Sequence, residues 1–381
     1  MNSGMSAAAA AGISTETDEL VATARQVFAD HPAEVADGLP GPLWSTLTEL
    51  GLVQLSLPDS AGGSGGTLAD LAALLLVAGE ATAPVPLAET ELAGWLLHAA
   101  GLPVPTGPLA VAADRAAGPG TRSAALGSGV GDGLVVRAEA DGGYAVTGQL
   151  SRVGWARAAA RLAVLAAGPD GSDVVLSVDP TAVGVTVTEG TNLAGEPRDD
   201  MRLDLRVPAG DVAAAPEGTR ELLVRLAALA RALLLAGAAG RALARSVRYA
   251  GERVQFGRPI GKFQAVQQQL ALAAAEVAAG RAAVDAATRI AAAELAGPDA
   301  GFAIAVAKAR TSEAAGAVAR VAHQVHGAIG FTLEHDLRLA TTRLWAWREE
   351  DGSDAHWHTV IARRALAEGA DGLWPLLTRA S

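Results

Sequence analysis

The chain has 381 residues, no cysteine and a formal net charge of −11. The missing cysteine excludes disulfide scaffolds, thiol nucleophiles, thiolate zinc sites and iron–sulfur clusters. The acidic balance argues against a general nucleic-acid binder, which needs a basic face. Half the residues are hydrophobic but only 4% are aromatic, because alanine supplies much of the apolar fraction.

Residues 1–14 lack a basic segment followed by a long apolar run, so they are expected as a disordered tail and not a signal peptide. No run reaches about 18 uncharged apolar residues, the length a membrane-spanning helix needs. The closest stretch, Leu226 to Leu243, is interrupted by Arg231 and Arg241. A cytoplasmic location and no membrane span are the default expectations.

Residues 15–109 read as an N-terminal helical domain. Leu20, Val21, Ala24 and Val27 share one helical face, the spacing of an amphipathic helix. A second helix follows over Leu43 to Leu50. Thr67 is placed to cap a third through Glu80, after the glycine-rich Ala61-Gly-Gly-Ser-Gly-Gly66 turn, and Leu87 to Ala100 forms a fourth. Residues 110–215 change texture. Short runs such as Val135-Val136, Leu162 to Val164 and Val174 to Val178 are separated by Gly, Asp and Pro, as in a small antiparallel β-domain. Residues 216–381 return to long helices: Thr219 to about Gly251, Gln264 to Leu295, Asp299 to about His326, Asp336 to Trp347 and Ser353 to Glu368. Short breaks between them imply an antiparallel bundle. Alanine suits such a bundle, since it is the best helix former and lets axes approach closely.

Two segments carry a more specific signal. Arg253-Val-Gln-Phe-Gly-Arg-Pro-Ile-Gly-Lys-Phe-Gln264 follows one long helix, and His323-Gln-Val-His-Gly-Ala-Ile-Gly-Phe331 ends another. Together they closely resemble the acyl-CoA dehydrogenase family, and the order of helices, β-domain and helices agrees along essentially the whole chain. Gly51 to Gly66 is also similar to a glycine- and proline-containing segment near that family's N-terminus. The resemblance implies an α+β, mainly α fold: an N-terminal helical domain, a small middle antiparallel β-domain and a C-terminal antiparallel four-helix bundle.

The same resemblance implies FAD bound across a subunit interface. Arg253 would meet its pyrophosphate as a planar permanent cation. Gln255, Gln264 and Gln324 would supply amides, Phe256 would pack apolar surface against it, and Gly327 and Gly330 would let backbone approach closely. As isolated residues, the arginine would read as a helix C-terminal cap and the glycines as helix ends; the combination favours the cofactor. His323, His326 and His335, with Glu334 and Asp336, invite a zinc reading. Because His326 lies inside the Gln–Gly motif, no metal is expected.

The family's reaction is α,β-dehydrogenation of an acyl-CoA thioester, with electrons passed to an electron-transfer flavoprotein. A carboxylate removes the α-proton. Counting forward from Phe331 places Asp351 at the position of the family's glutamate, followed by Gly352 and Ser353. Asp351 is the first candidate base, Glu350 the alternative after a one-residue slip and Glu349 a weaker one. The plainer reading makes Arg348 to Asp351 a solvated charged helix end. Trp345, Trp347 and Trp357 bracket this stretch, compatible with an apolar pocket that raises a carboxylate's pKa.

Other features depart from the family. After Thr147-Gly148, Arg152 and Gly154 stand where Trp and Thr are expected; Trp155 restores an aromatic face if the register shifts. Ala124 to Asp132 lacks the usual Thr-Glu-Pro element. The adenine half of the cofactor site therefore looks intact and the flavin half remodelled. Leu333-Glu-His-Asp-Leu337 and Arg343-Leu-Trp-Ala-Trp-Arg348 resemble an actinobacterial-type branch, in which dehydrogenases of steroid side-chain or ring-derived CoA thioesters are often heteromeric. The first reading is a FAD-dependent acyl-CoA dehydrogenase, a homo- or hetero-tetramer with Asp351 or Glu350 as its base; the alternatives are a non-catalytic or half-catalytic FAD-binding subunit of a heteromer, and a flavin-dependent monooxygenase or oxidase on the same fold.

Overall fold

The computed structural model describes residues 3–33, 38–114, 133–140, 142–332 and 335–379. The Ala124 to Asp132 segment, Leu333 and Glu334 lie outside the described residues.

Four helices open the chain: α1 (Ser3–Asp30), α2 (Gly41–Glu49), α3 (Leu68–Ala81) and α4 (Leu87–Ala99). The backbone of α1 is helical from Ser3, inside the stretch expected as a tail. At α3 the expected cap is complete. Asp70 N–H donates to Thr67 Oγ1 at 3.2 Å, and Thr67 N–H donates to Asp70 Oδ2 at 2.9 Å, satisfying two otherwise orphaned donors reciprocally.

The β-region contains β1 (Leu109–Ala113), β2 (Leu134–Ala138), β3 (Tyr144–Gly154), β4 (Arg161–Ala167), β5 (Asp173–Val178), β6 (Val185–Thr188), β7 (Arg198–Val207) and β8 (Val212–Ala214). They form two four-stranded sheets, ordered β1-β4-β5-β8 and β2-β3-β7-β6. The expectation of a wholly antiparallel domain needs one correction: β1 pairs with β4 in parallel. The polypeptide between β1 and β4 allows this, since a parallel pair needs a long crossover. Val146, Leu162, Val164, Leu176, Met201 and Leu203 fill the space between the sheets. The other face of the first sheet packs Val111, Ala163, Leu165 and Val175 against Leu96, Leu97, Leu223 and Ala227. Burial on both faces explains why β1, β4 and β5 read as continuous apolar runs instead of alternating ones.

The remaining helices are α5 (Thr219–Glu252), α6 (Gln264–Glu294), α7 (Pro298–His326), α8 (Leu337–Trp347) and α9 (Asp354–Arg379), with a short hairpin β9 (Val254–Gln255) and β10 (Arg258–Pro259) between α5 and α6. Helix α9 runs past the expected Glu368 end, with a break at Gly369. Helix α5 is the hub. By length and composition alone it could cross a bilayer, but it packs against α3, α6, α7 and α8, so its apolar run is that of a core helix. The crossing with α3 depends on two glycines. A Cβ at Gly79 would overlap Leu234 O, and one at Gly237 would overlap Leu76 O.

Candidate functional site

The turn between α8 and α9 carries Glu350 and Asp351. Asp351 (φ 55°) and Gly352 (φ 90°) are both left-handed, a conformation costly for a residue with a Cβ. The surrounding structure holds it. Lys308 Nζ donates to Gly352 O at 2.7 Å, Arg348 O at 3.1 Å and Ser312 Oγ at 3.0 Å. Trp357 Nε1 donates to Asp351 O at 2.9 Å. This turn aims both carboxylates inward, and Asp351 is 7% exposed.

Both meet arginines. Arg231 of α5 donates from Nε to Asp351 Oδ2 at 2.8 Å. Arg198, at the start of β7, grips Glu350 bidentately, Nε to Oε1 at 3.0 Å and Nη2 to Oε2 at 2.7 Å. Asn192 Nδ2 adds a bond to Glu350 Oε1 at 3.0 Å. Arg231 Nη2 also reaches Glu89 of α4 at 3.1 Å and lies 3.4 Å from Glu350 Oε2. Glu196 extends the cluster, accepting from Trp347 Nε1 at 2.8 Å and lying 3.0 Å from Arg343 Nε. The network joins α4, α5, α7, α8 and the β-domain, and its members are nearly all buried.

The electrostatics follow from this composition. Burial works to raise the Glu350 pKa, but Arg198 and Arg231 outweigh it and hold the carboxyl down to about 2. Burial lowers Lys308 to about 8, with Arg231 acting in the same direction against Asp351 and Glu350. The expectation of an apolar pocket raising a carboxylate's pKa is thus reversed at Glu350, because buried cations surround it. The solvated-end reading also fails for both carboxylates. Trp347 and Trp357 bracket the turn as hydrogen-bond donors, while Trp345 is partly exposed.

The second group of candidates sits on the surface. The β9–β10 turn places Phe256 at φ 52° and Gly257 at φ 78°, leaving the Phe256 ring 93% exposed. The Arg253 backbone is fixed by its N–H to Tyr249 O and by Ile260 N–H to its carbonyl, each 2.8 Å. Its side chain is exposed, as are Gln255, Gln264 and Gln324, and it forms no ion pair among the described residues. Tyr249 stacks on His326 with ring centroids 4.4 Å apart. That contact joins the end of α5 to the end of α7 and brings the two motifs onto one region. The two glycines have different reasons. Gly327 is left-handed and open, whereas a Cβ at Gly330 would crowd His326 Cβ at 3.0 Å, so its missing side chain serves packing within this chain.

Similarity to known proteins agrees with these motifs. A model of the acyl-CoA dehydrogenase C-terminal domain matches residues 217–366. The acyl-CoA dehydrogenase IpdE2 of Mycolicibacterium smegmatis is 31% identical over 299 residues, 78% of this chain and 79% of the relative. The chain belongs to the acyl-CoA dehydrogenase family. Among solved structures, a variant of the Tcur3481–Tcur3483 steroid acyl-CoA dehydrogenase superposes with a TM-score of 0.81 at 29% identity, covering 94% of this chain and 99% of that one. The ChsE4–ChsE5 complex of Mycobacterium tuberculosis gives 0.81 at 25% identity, covering 92% and 97%. The family comprises oxidoreductases, and its mainly helical architecture with small central sheets is the one seen here.

The dehydrogenase's cofactor can be tested against these residues. An unpaired surface cation, three exposed amides and an exposed ring fit the pyrophosphate and adenine half of an FAD lying against a second chain. The flavin half fits poorly. Trp155 is 3% exposed and packed within the protein, so it offers no ring face to a ligand. The β3–β7 register breaks between Leu150 and Val153, where Arg152 N–H donates to Asp200 Oδ1 at 2.8 Å. No group of three or more acidic or histidine side chains able to hold a metal ion is found among the described residues.

Sequence reasoning missed Arg198, Arg231, Glu89, Glu196, Arg343 and Lys308 as one unit. A signal existed: Arg231 is a single charge within an alanine- and leucine-rich run, and Lys308 follows the apolar run Phe302 to Ala307. Such charges are rarely buried without partners.

Proposed function

We propose that this chain is the FAD-binding, base-lacking subunit of a heteromeric acyl-CoA dehydrogenase. The assembly oxidises a CoA thioester to the 2-enoyl-CoA and delivers the electrons to an electron-transfer flavoprotein. The observation that carries the proposal is the capture of both candidate bases, Glu350 by Arg198 and Asp351 by Arg231. A general base works best with a pKa near the working pH and must reach the proton it removes. Glu350 at about 2 has little basicity, and Asp351 spends a carboxylate oxygen on a buried guanidinium. The reading with Asp351 as the base of a self-sufficient enzyme loses support for that reason.

FAD, when bound, supplies the hydride acceptor. This chain contributes Arg253 to its pyrophosphate, Gln255, Gln264 and Gln324 to its polar edges, and Phe256 as an apolar cover. The α-proton passes to a carboxylate of the partner subunit. The Arg198–Arg231 network ties the β-domain to the bundle, so the exposed motifs form a fixed face. Support also comes from two similar solved structures that each carry two component names, one described as a steroid acyl-CoA dehydrogenase. A CoA thioester from steroid breakdown is accordingly the substrate class we assign.

Co-expression with a homologous subunit of similar length tests this reading. The expected product is a heterotetramer with visible flavin absorbance, about one FAD per pair of chains, that reduces an electron-acceptor dye with acyl-CoA. Full flavin content and dye reduction by this chain alone would overturn it.

A further inference from the structure

A cavity of about 290 Å³ lies among α3, α4, α5 and α6, and the dehydrogenase reading does not use it. Leu229 and Leu233 of α5 line it. Arg231, two positions from each, points to the opposite side of the helix because a residue turns through about 100°. The cavity and the charge network therefore occupy opposite faces of α5. Leu75 of α3 and Trp95 of α4 add apolar walls, and Glu91 of α4 is the ionisable group among the lining residues.

Glu91 is built into this wall. Ser56 N–H donates to Glu91 Oε1 at 2.9 Å, and the Ser56 hydroxyl donates to the same oxygen. No Arg or Lys pairs with it among the described residues. Burial pushes its carboxyl up from the usual range, and the Ser56 bonds offset this only in part. The chamber is thus apolar, with a single carboxyl that has no cationic partner.

We propose that this cavity binds an uncharged, largely hydrocarbon alcohol whose hydroxyl hydrogen-bonds the Glu91 carboxyl. The apolar walls reward removal of hydrocarbon from water, at roughly 25 cal/mol per Å². An anionic head group would face a carboxyl without a compensating cation. A cationic one would require two charges to be desolvated together. A hydroxyl both donates and accepts, so it matches the carboxyl in either protonation state. At about 30 Å³ per water-sized group the volume holds about ten non-hydrogen atoms, the size of a medium-chain or monocyclic alcohol. This site stands independently of the catalytic reading.

The test uses the full-length protein, with its partner subunit where one is needed for solubility. Calorimetric titration compares 1-octanol with octanoate, and a crystal soaked in 8-bromooctan-1-ol is examined for anomalous bromine signal. The expected result is a bromine peak between α3 and α5, with octanoate at least tenfold weaker than octanol. Glu91→Leu should weaken octanol binding about tenfold. Ala72→Phe should abolish it by filling the chamber, with Ala230→Leu as the milder filling variant should the first not fold. Absence of the bromine peak, equal affinity for octanoate, or unchanged binding in a folded filling variant would overturn the proposal. None of these readouts depends on flavin or turnover.

Discussion

Arg231 and Asp351 are 120 residues apart in sequence, yet Arg231 Nε donates to Asp351 Oδ2 at 2.8 Å in the interior of the molecule. A buried ion pair is weak evidence of net stabilisation, because desolvation opposes the attraction. Removing one member, however, strands the other, at a cost of about 3–5 kcal/mol. Arg231→Met should therefore destabilise strongly, and Arg231→Met combined with Asp351→Leu should be milder than the sum of the two single changes. Urea unfolding of the double-mutant cycle measures the coupling, and strict additivity would contradict the structural pair.

In the assembled enzyme, Asp351→Asn should leave the turnover number within about threefold of wild type, because the proposed base lies on the partner. Loss of turnover in a variant that keeps its flavin and its oligomeric state would return the role of base to Asp351.

Acid sensitivity should reflect Glu350. Its folded pKa of about 2 lies below the ordinary 4.5, so its contribution is complete above about 4.5. It is lost as pH falls through the window down to about 2, where the folded state also takes up the proton. Unfolding free energies measured across that window should fall less steeply in Glu350→Gln than in wild type.

Lys308 should give a pH dependence of the same sign in the alkaline range. Its folded pKa of about 8 lies below the ordinary 10.5, so between these values the unfolded chain binds more protons than the folded one. Stability should rise with pH across that window, the sign required by proton linkage. The rise should vanish in Lys308→Met, as followed by chemical denaturation from pH 7.5 to 10.5.

Arg253→Ala should lower flavin content at least tenfold while leaving the unfolding midpoint unchanged, because its side chain is exposed and makes no ion pair among the described residues. Visible absorbance per chain and urea titration separate the two effects.

The order of elements was legible because each rests on local information. Helical spacing marked α1, Thr67 marked the start of α3, Gly- and Pro-containing breaks bounded the long C-terminal helices, and Gly-, Asp- and Pro-rich turns marked the strands. The parallel β1–β4 pair was not legible, since strand direction is set by how distant segments meet. The same division applies to the site. Arg253, Gln255, Phe256, Gln264 and Gln324 are contiguous enough for a motif to identify them, and they are exposed together in the structure. Glu350 and Asp351 were visible as acidic side chains near the expected position, but their chemical state was not.

The sequence by itself determined the family, the helix–sheet–helix order and the two motifs Arg253 to Gln264 and His323 to Phe331, because periodicity and short motifs are properties of neighbouring residues. Only the tertiary structure decided that both candidate bases, Glu350 and Asp351, are paired with buried arginines. Arg198 lies in the β-domain and Arg231 in the central helix, and folding alone carries both guanidiniums to the α8–α9 turn. A carboxylate's basicity depends on charges within a few ångströms, and here those charges come from residues more than a hundred positions away.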